Sequence, residues 1–135
     1  MAVYLNNGVQ LTVNSVDLSA YVSSITLNRN FDEVEVTAMG DAGHKFVAGL
    51  EASSVTVEFF NDWATAKVGQ TLDSLLGTTT TVTIQPGAGA ISATNPKYTM
   101  TVLVNGITPV NGGVGDLATQ SVTWNVNGAV TKATS

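Results

Sequence analysis

Along most of this chain apolar and polar residues alternate one for one, the period of a strand with one dry and one wet face. In EVEVT (33–37), Glu33, Glu35 and Thr37 oppose Val34 and Val36. In SVTVEFF (54–60), Ser54, Thr56 and Glu58 oppose Val55, Val57 and Phe59. In TQSVTWNVN (119–127), Ser121, Thr123 and Asn125 oppose Val122, Trp124 and Val126. YTMTVLVNG (98–106) is apolar on both sides and is expected to be covered on both. VQLTV (9–13), AYVSSITL (20–27) and TTTVTI (79–84) complete a set of seven or so short strands. Asn-Gly steps at 7–8, 105–106, 111–112 and 127–128 punctuate them, because both residue types tolerate positive φ. The pattern predicts a mainly β fold of two packed antiparallel sheets, a sandwich or barrel.

One segment breaks the period. Over 62–76, DWATAKVGQTLDSLL, the residues Ala64, Val68, Leu72, Leu75 and Leu76 fall on one helical face. Asn61 or Asp62 would cap the start and Gly77 the end. Gly69 costs about 1 kcal/mol against alanine inside a helix, so two shorter helical pieces are an alternative. The stretches 85–97 and 109–119 are long, Gly-rich connections of the kind that carry function or motion. A chain of 135 residues suits a single domain, 1–135, with a short flexible C-terminal tail from about 131. The start MAVYLNNGVQ has no basic and apolar leader regions, and no apolar run spans a bilayer, so no signal peptide or membrane association is expected.

Charge changes the picture. Asp, Glu, Lys and Arg make up 11% of the chain, against roughly 25% in ordinary soluble domains. Its wet faces are built from Thr, Ser, Asn and Gly instead. Interface cores are depleted in charge, so this surface is expected to be covered by partners. Ten acids against five bases, none of them clustered, argue against direct nucleic-acid binding, which cations supply. Cysteine is absent, which removes disulfides, thiolate catalysis and thiolate metal sites.

The candidate chemistry is thin. Asp41, His44 and Lys45 gather in one loop, yet no G-x-S-x-G elbow selects a serine for His44 to activate. Glu33 and Glu35 share a strand face within about 7 Å, which would suit a weak cation site or an acid–base pair but equally a solvated face. Asp32, Glu33, Glu35 and Asp41 lack calcium-loop spacing, and GGVGD (112–116) is followed by no lysine of a phosphate loop. No enzyme, cofactor or metal site is expected.

The order of parts then becomes informative. The phrases VTAMGDAG, FVAGL, NPKYT and PVNGGVGDLA…VTWNVNG, in this order around one helix, make residues 11–131 resemble the tail tube proteins of long-tailed bacteriophages, particularly those of actinobacteria. The resemblance implies two packed antiparallel sheets flanked by one helix. It also implies a structural protein of the virion tail, made in the host cytoplasm. Six copies would close a ring, rings would stack into a tube, and the sheets would join into one luminal barrel. The partners implied are further copies of the chain, with tape-measure, tail-tip and terminator proteins; DNA would pass through without specific binding. On this basis Glu33, Glu35 and Glu58 are candidate lumen-facing residues, and Asp41, His44 and Lys45 candidate inter-subunit contacts. Alternatives are another phage structural part, such as a capsid decoration, terminator or neck protein, and, further off, a β-sandwich adhesin module.

Overall fold

The alternating segments become the strands of a two-layer sandwich with their apolar sides turned inward. The computed structural model describes residues 8–65, 67–87 and 89–135. In chain order the elements are β1 (Gln10–Val13), β2 (Val16–Asp17), β3 (Val22–Asn28), β4 (Phe31–Glu35), β5 (Phe46–Glu51), β6 (Ser54–Phe60), α1 (Val68–Leu75), β7 (Thr79–Gln85), β8 (Lys97–Leu103), β9 (Thr119–Asn125) and β10 (Thr131–Ala133). One layer is the sheet β10-β8-β7-β1-β2, the other is β3-β6-β9, and β4 pairs with β5 alone. Among the described residues all strand pairings are antiparallel, and no closed barrel forms.

Between the layers, Val55, Val57 and Phe59 of β6 and Val122 and Trp124 of β9 meet Leu11, Val13, Val82, Met100 and Val102. Trp124 is fully buried, and its Nε1 donates to the Gly106 carbonyl at 3.2 Å. The largest ring in the core therefore carries no stranded donor.

The helix is half the expected length. Residues 62–65 do not continue it: the Asp62 carbonyl accepts from Gly69 N at 2.8 Å, and Asp62 Oδ1 accepts from Ala64 N at 2.9 Å. The indole of Trp63 then lies across Gly69, where an added Cβ would stand 2.7 Å from the ring. Gly69 is thus the point where a side chain crosses the first helical turn. Lys67 occupies the cap position without a side-chain bond, so neither expected N-cap serves as one. Val68 and Leu72 enter the core, and Gly77, at φ 84°, follows the helix end as expected.

Other departures have local causes. β8 alternates, with Met100 and Val102 buried but Thr101 and Leu103 exposed, because only one layer covers it. The expected tail instead pairs with β8, Thr131 opposite Thr99 and Lys132 opposite Tyr98. Asn14 and Ser15, at φ 50° and 66°, form the two-residue β1–β2 turn, which Asn-Gly steps do not mark. Gly112 and Gly128 do take positive φ, but in connections between unpaired strands; Asn7 lies outside the described residues.

Candidate assembly surface

Two paired strands run on from the small sheet as a ribbon. In it, β3 runs into β4 and β5 into β6. Asn28 stands opposite Ser54, and three residues further along each strand Phe31 stands opposite Glu51, so one register passes from the sandwich into the β4–β5 pair. Beyond Phe31 the register shifts, and Glu33 faces Ala48, Val34 faces Val47 and Glu35 faces Phe46. With no third strand and no facing layer, every residue of β4 is exposed. Val34 and Val36, expected in the core, are about half exposed, at 45% and 47%. Phe31, Phe46, Val47, Leu50 and the tip residue Met39 are bared as well. Residues 31–51 form an arm that is uncovered on both faces and bares apolar side chains on each, with Glu33 and Glu35 beside Ala48 and Phe46 on one of them.

Its tip is organised by hydrogen bonds among polar side chains. Glu35 Oε2 lies 2.5 Å from His44 Nδ1 and accepts from Thr37 Oγ1 at 2.8 Å, while Thr37 Oγ1 accepts from Lys45 N at 2.9 Å. His44, then Thr37, lowers the Glu35 pKa below its ordinary value. Asp41 accepts from Ala38 N at 2.7 Å and pairs with Lys45 Nζ at 2.9 Å. Ala38 N–H, then Lys45, holds the Asp41 carboxyl down. Asp41, His44 and Lys45 therefore do not converge: His44 pairs with Glu35, and Lys45 with Asp41. Among the described residues no three His, Asp or Glu side chains gather to hold a metal ion.

The root of the arm is held from both strands. Glu51, its side chain 7% exposed, accepts from Ser53 Oγ at 2.6 Å and Val130 N at 3.3 Å, and lies 3.6 Å from Arg29 Nε. Arg29 Nη2 donates to the Val130 carbonyl at 3.4 Å. The Ser53 hydroxyl, chiefly, holds the Glu51 carboxyl below its ordinary pKa against burial, which would raise it; Val130 and Arg29 add to the lowering. Arg29 and Glu51 thus grip the residue just before β10, and a clamp closed across distant segments fixes where the arm leaves the body.

The three predicted wall acids are not one patch. Glu58 stands directly opposite Ser24 on the outer face of β3-β6-β9. Counting alternation along β3 and β4, Glu33 and Glu35 fall on the side that continues Ile25 and Leu27, on the arm rather than the body. The outer face of the body sheet carries Ser24, Thr26, Thr56, Ser121 and Thr123, and Glu58 is the only charged residue in its three strands.

The sheets differ at their edges. The larger sheet ends in β2, two residues, and β10, three residues, and short edge strands are a means of discouraging pairing. The smaller sheet ends on both sides in seven-residue strands, β3 and β9. Beside β3 a cleft of about 370 Å³ opens between the layers, where Ile25 and Leu27 meet Ile84 and Tyr98. The body is therefore uncovered where a neighbour could extend it.

No protein-family model matches the chain, and no curated protein matches it by sequence. Solved structures do match. A chain from the virion of a native gene transfer agent particle superposes with a TM-score of 0.78 at 12% identity, over 97% of this chain and 99% of that one. A chain of the anti-feeding prophage baseplate, a six-fold symmetrised structure, superposes with a TM-score of 0.56 at 12% identity, over 98% of this chain and 97% of that one. The fold, from end to end, is one that these two particle-forming assemblies also contain.

Proposed function

We propose that this chain is a structural protein of a phage-type virion, and within it a tail tube subunit that closes into six-membered rings and stacks into a conduit for the genome. The observation that carries this reading is the small sheet: β3 is a free seven-residue edge, β9 is open beyond Ser121, with Thr108 and Asn111 bonding its first residues, and the face between them carries one charge. Joining β9 of one copy to β3 of the next removes both edges, as barrel closure does. It also covers the apolar cleft beside β3. The superposition on a virion chain over nearly the full length of both supports the same class of protein.

In the closed ring the outer face of β3-β6-β9 becomes the lumen wall, and Glu58 repeats around it. Phosphate backbones adhere where lysine and arginine replace their counterions. A wall of hydroxyls, amides and a ring of carboxylates offers no such site, and its field reaches only about 8 Å at physiological salt. Passage is then electrostatically passive. The chain acts as no enzyme in this role, and its further partners are the tape-measure, tail-tip and terminator proteins that start, gauge and end a tube.

Glu58→Lys, introduced into the particle that encodes the chain, is expected to leave particle number unchanged and reduce genome delivery, because each ring gains a circle of phosphate-binding cations. Counting particles by microscopy and delivered genomes by transduction or infection separates the two quantities. Normal delivery would remove Glu58 from the lumen.

A further inference from the structure

Apart from Leu76 and Leu103, at the helix end and the end of β8, the exposed large apolar side chains gather at two opposite poles of the small sheet, with hydroxyl-rich faces between them. One pole is the arm, beyond the Asn28/Ser54 end of the ribbon. The other lies about 20 Å away at the Phe60 end of β6, a distance set by the length of a seven-residue strand. There the 109–118 loop is pinned at both ends by Asn61, whose Nδ2 donates to the Pro109 carbonyl at 3.0 Å and whose N donates to the Ala118 carbonyl at 3.0 Å. Within the loop, Gly113 N donates to Asp116 Oδ2 and Asp116 N to the Gly113 carbonyl, closing a turn. Gly115, at φ 83°, completes the turn. Val110 is 93% exposed and Val114 fully so, with Leu117, Trp63 and Phe60 bared around them.

We propose that the arm of one copy docks on the 109–118 pole of a second copy, with Val110, Val114 and Leu117 as the receiving surface. This deepens the conduit reading and rests on it: it names the contact along the tube axis. Size supports a second copy as the occupant. Seven large apolar side chains, each about half exposed or more and carried on both faces and the tip of the arm, supply the apolar centre of one side of a standard interface, about 800 Å² per partner, when the receiver embraces the ribbon. An isolated two-stranded hairpin is marginal in water, so the arm needs a covering surface. Because arm and receiver are different patches at opposite poles, the contact is heterologous and does not close on itself, which generates an open stack of copies.

The chain has no cysteine, so engineered thiols report the contact directly. Met39→Cys marks the arm tip of one preparation, and Val114→Cys marks the loop of a second that carries a size tag. Both positions are exposed and outside the core, so both variants retain the fold. After mixing and mild oxidation, a disulfide-linked heterodimer between the two preparations is expected to dominate over either homodimer. Arm-to-arm homodimers in its place, or no heterodimer, would overturn the inference. Tubes seen by microscopy without the heterodimer would leave the conduit reading standing with a different axial contact. Absence of both the heterodimer and any ring or tube would remove both.

Discussion

Replacing residues 32–50 by a single Asn-Gly turn is expected to leave the sandwich folded and abolish end-to-end assembly. The turn closes the pair Phe31 and Glu51, which face each other, and Asn-Gly is the favoured two-residue connection between antiparallel strands. Glu51 keeps its bonds to Ser53 and Val130, so the root clamp survives. The deleted segment buries little, and shortening a connection lowers its closure entropy, so unfolding free energy should change by no more than about 1 kcal/mol. Assembly should respond far more strongly, because the deletion removes Val34, Val36, Met39, Phe46, Val47 and Leu50 together with the Asp41–Lys45 ion pair of the tip. Thermal unfolding and sedimentation of the same preparation measure both effects. Tubes of ordinary length from the armless protein would show that the arm is not the axial contact.

Trp124→Ala is expected to cost about 3–5 kcal/mol, the range for emptying a large aromatic site in a core. Trp124 has no exposed surface, lies in β9 opposite Val55, and packs within the single cluster that joins the two sheets. Set against a total stability of about 5–15 kcal/mol, the loss would bring the domain close to unfolding and lower its melting temperature by on the order of 10 °C or more. Trp124→Phe separates the two parts of the effect. It keeps most of the apolar volume but leaves the Gly106 carbonyl without its donor, so a smaller loss of about 1–3 kcal/mol is expected. Chemical denaturation of the three proteins gives the comparison, and a loss below 1 kcal/mol in the alanine variant would mean that the two layers do not meet at this ring.

Most of the sandwich was legible because alternation states which side of a strand is dry. β6 coincides with the segment read from SVTVEFF, β9 takes up the first seven residues of TQSVTWNVN, and their apolar sides form the core. The same rule misplaced Val34 and Val36, since alternation records which side is apolar and says nothing of what covers it. That depends on a third strand or a facing layer, which the arm lacks. β5 was missed because Gly49 interrupts its pattern; there an added Cβ would stand 3.1 Å from Val34 Cγ2, so the close pairing of the arm depends on the missing side chain. The helix start was misread for a related reason, because the Trp63 ring over Gly69 is a tertiary contact that no helical period encodes.

Of the candidate site, the sequence disclosed chemistry but not grouping. The shortage of charge anticipated a surface with wide uncharged faces, and the structure displays them as hydroxyl-rich sheet faces and two apolar poles. That His44 pairs with Glu35 rather than with Asp41 follows from the hairpin register, which sets Glu35 near the returning strand. The clamp of Arg29 and Glu51 on Val130 joins residues up to 101 positions apart and leaves no local signal. The receiving loop was read only as long and Gly-rich. Val110, Val114 and Leu117 are all exposed in a loop whose two ends Asn61 pins, a long-range arrangement without a local signal.

The central claim, that the β3-β6-β9 sheet closes with its neighbours around a lumen, is tested most directly by a cryo-electron microscopy reconstruction of the concentrated purified protein or of the particle that contains it. The account predicts a hollow tube of constant diameter in which β9 of each copy lies beside β3 of the next and Glu58 points into the channel. A tube lined instead by the β10-β8-β7-β1-β2 sheet, or an assembly in which the β3 and β9 edges stay unpaired, would contradict it.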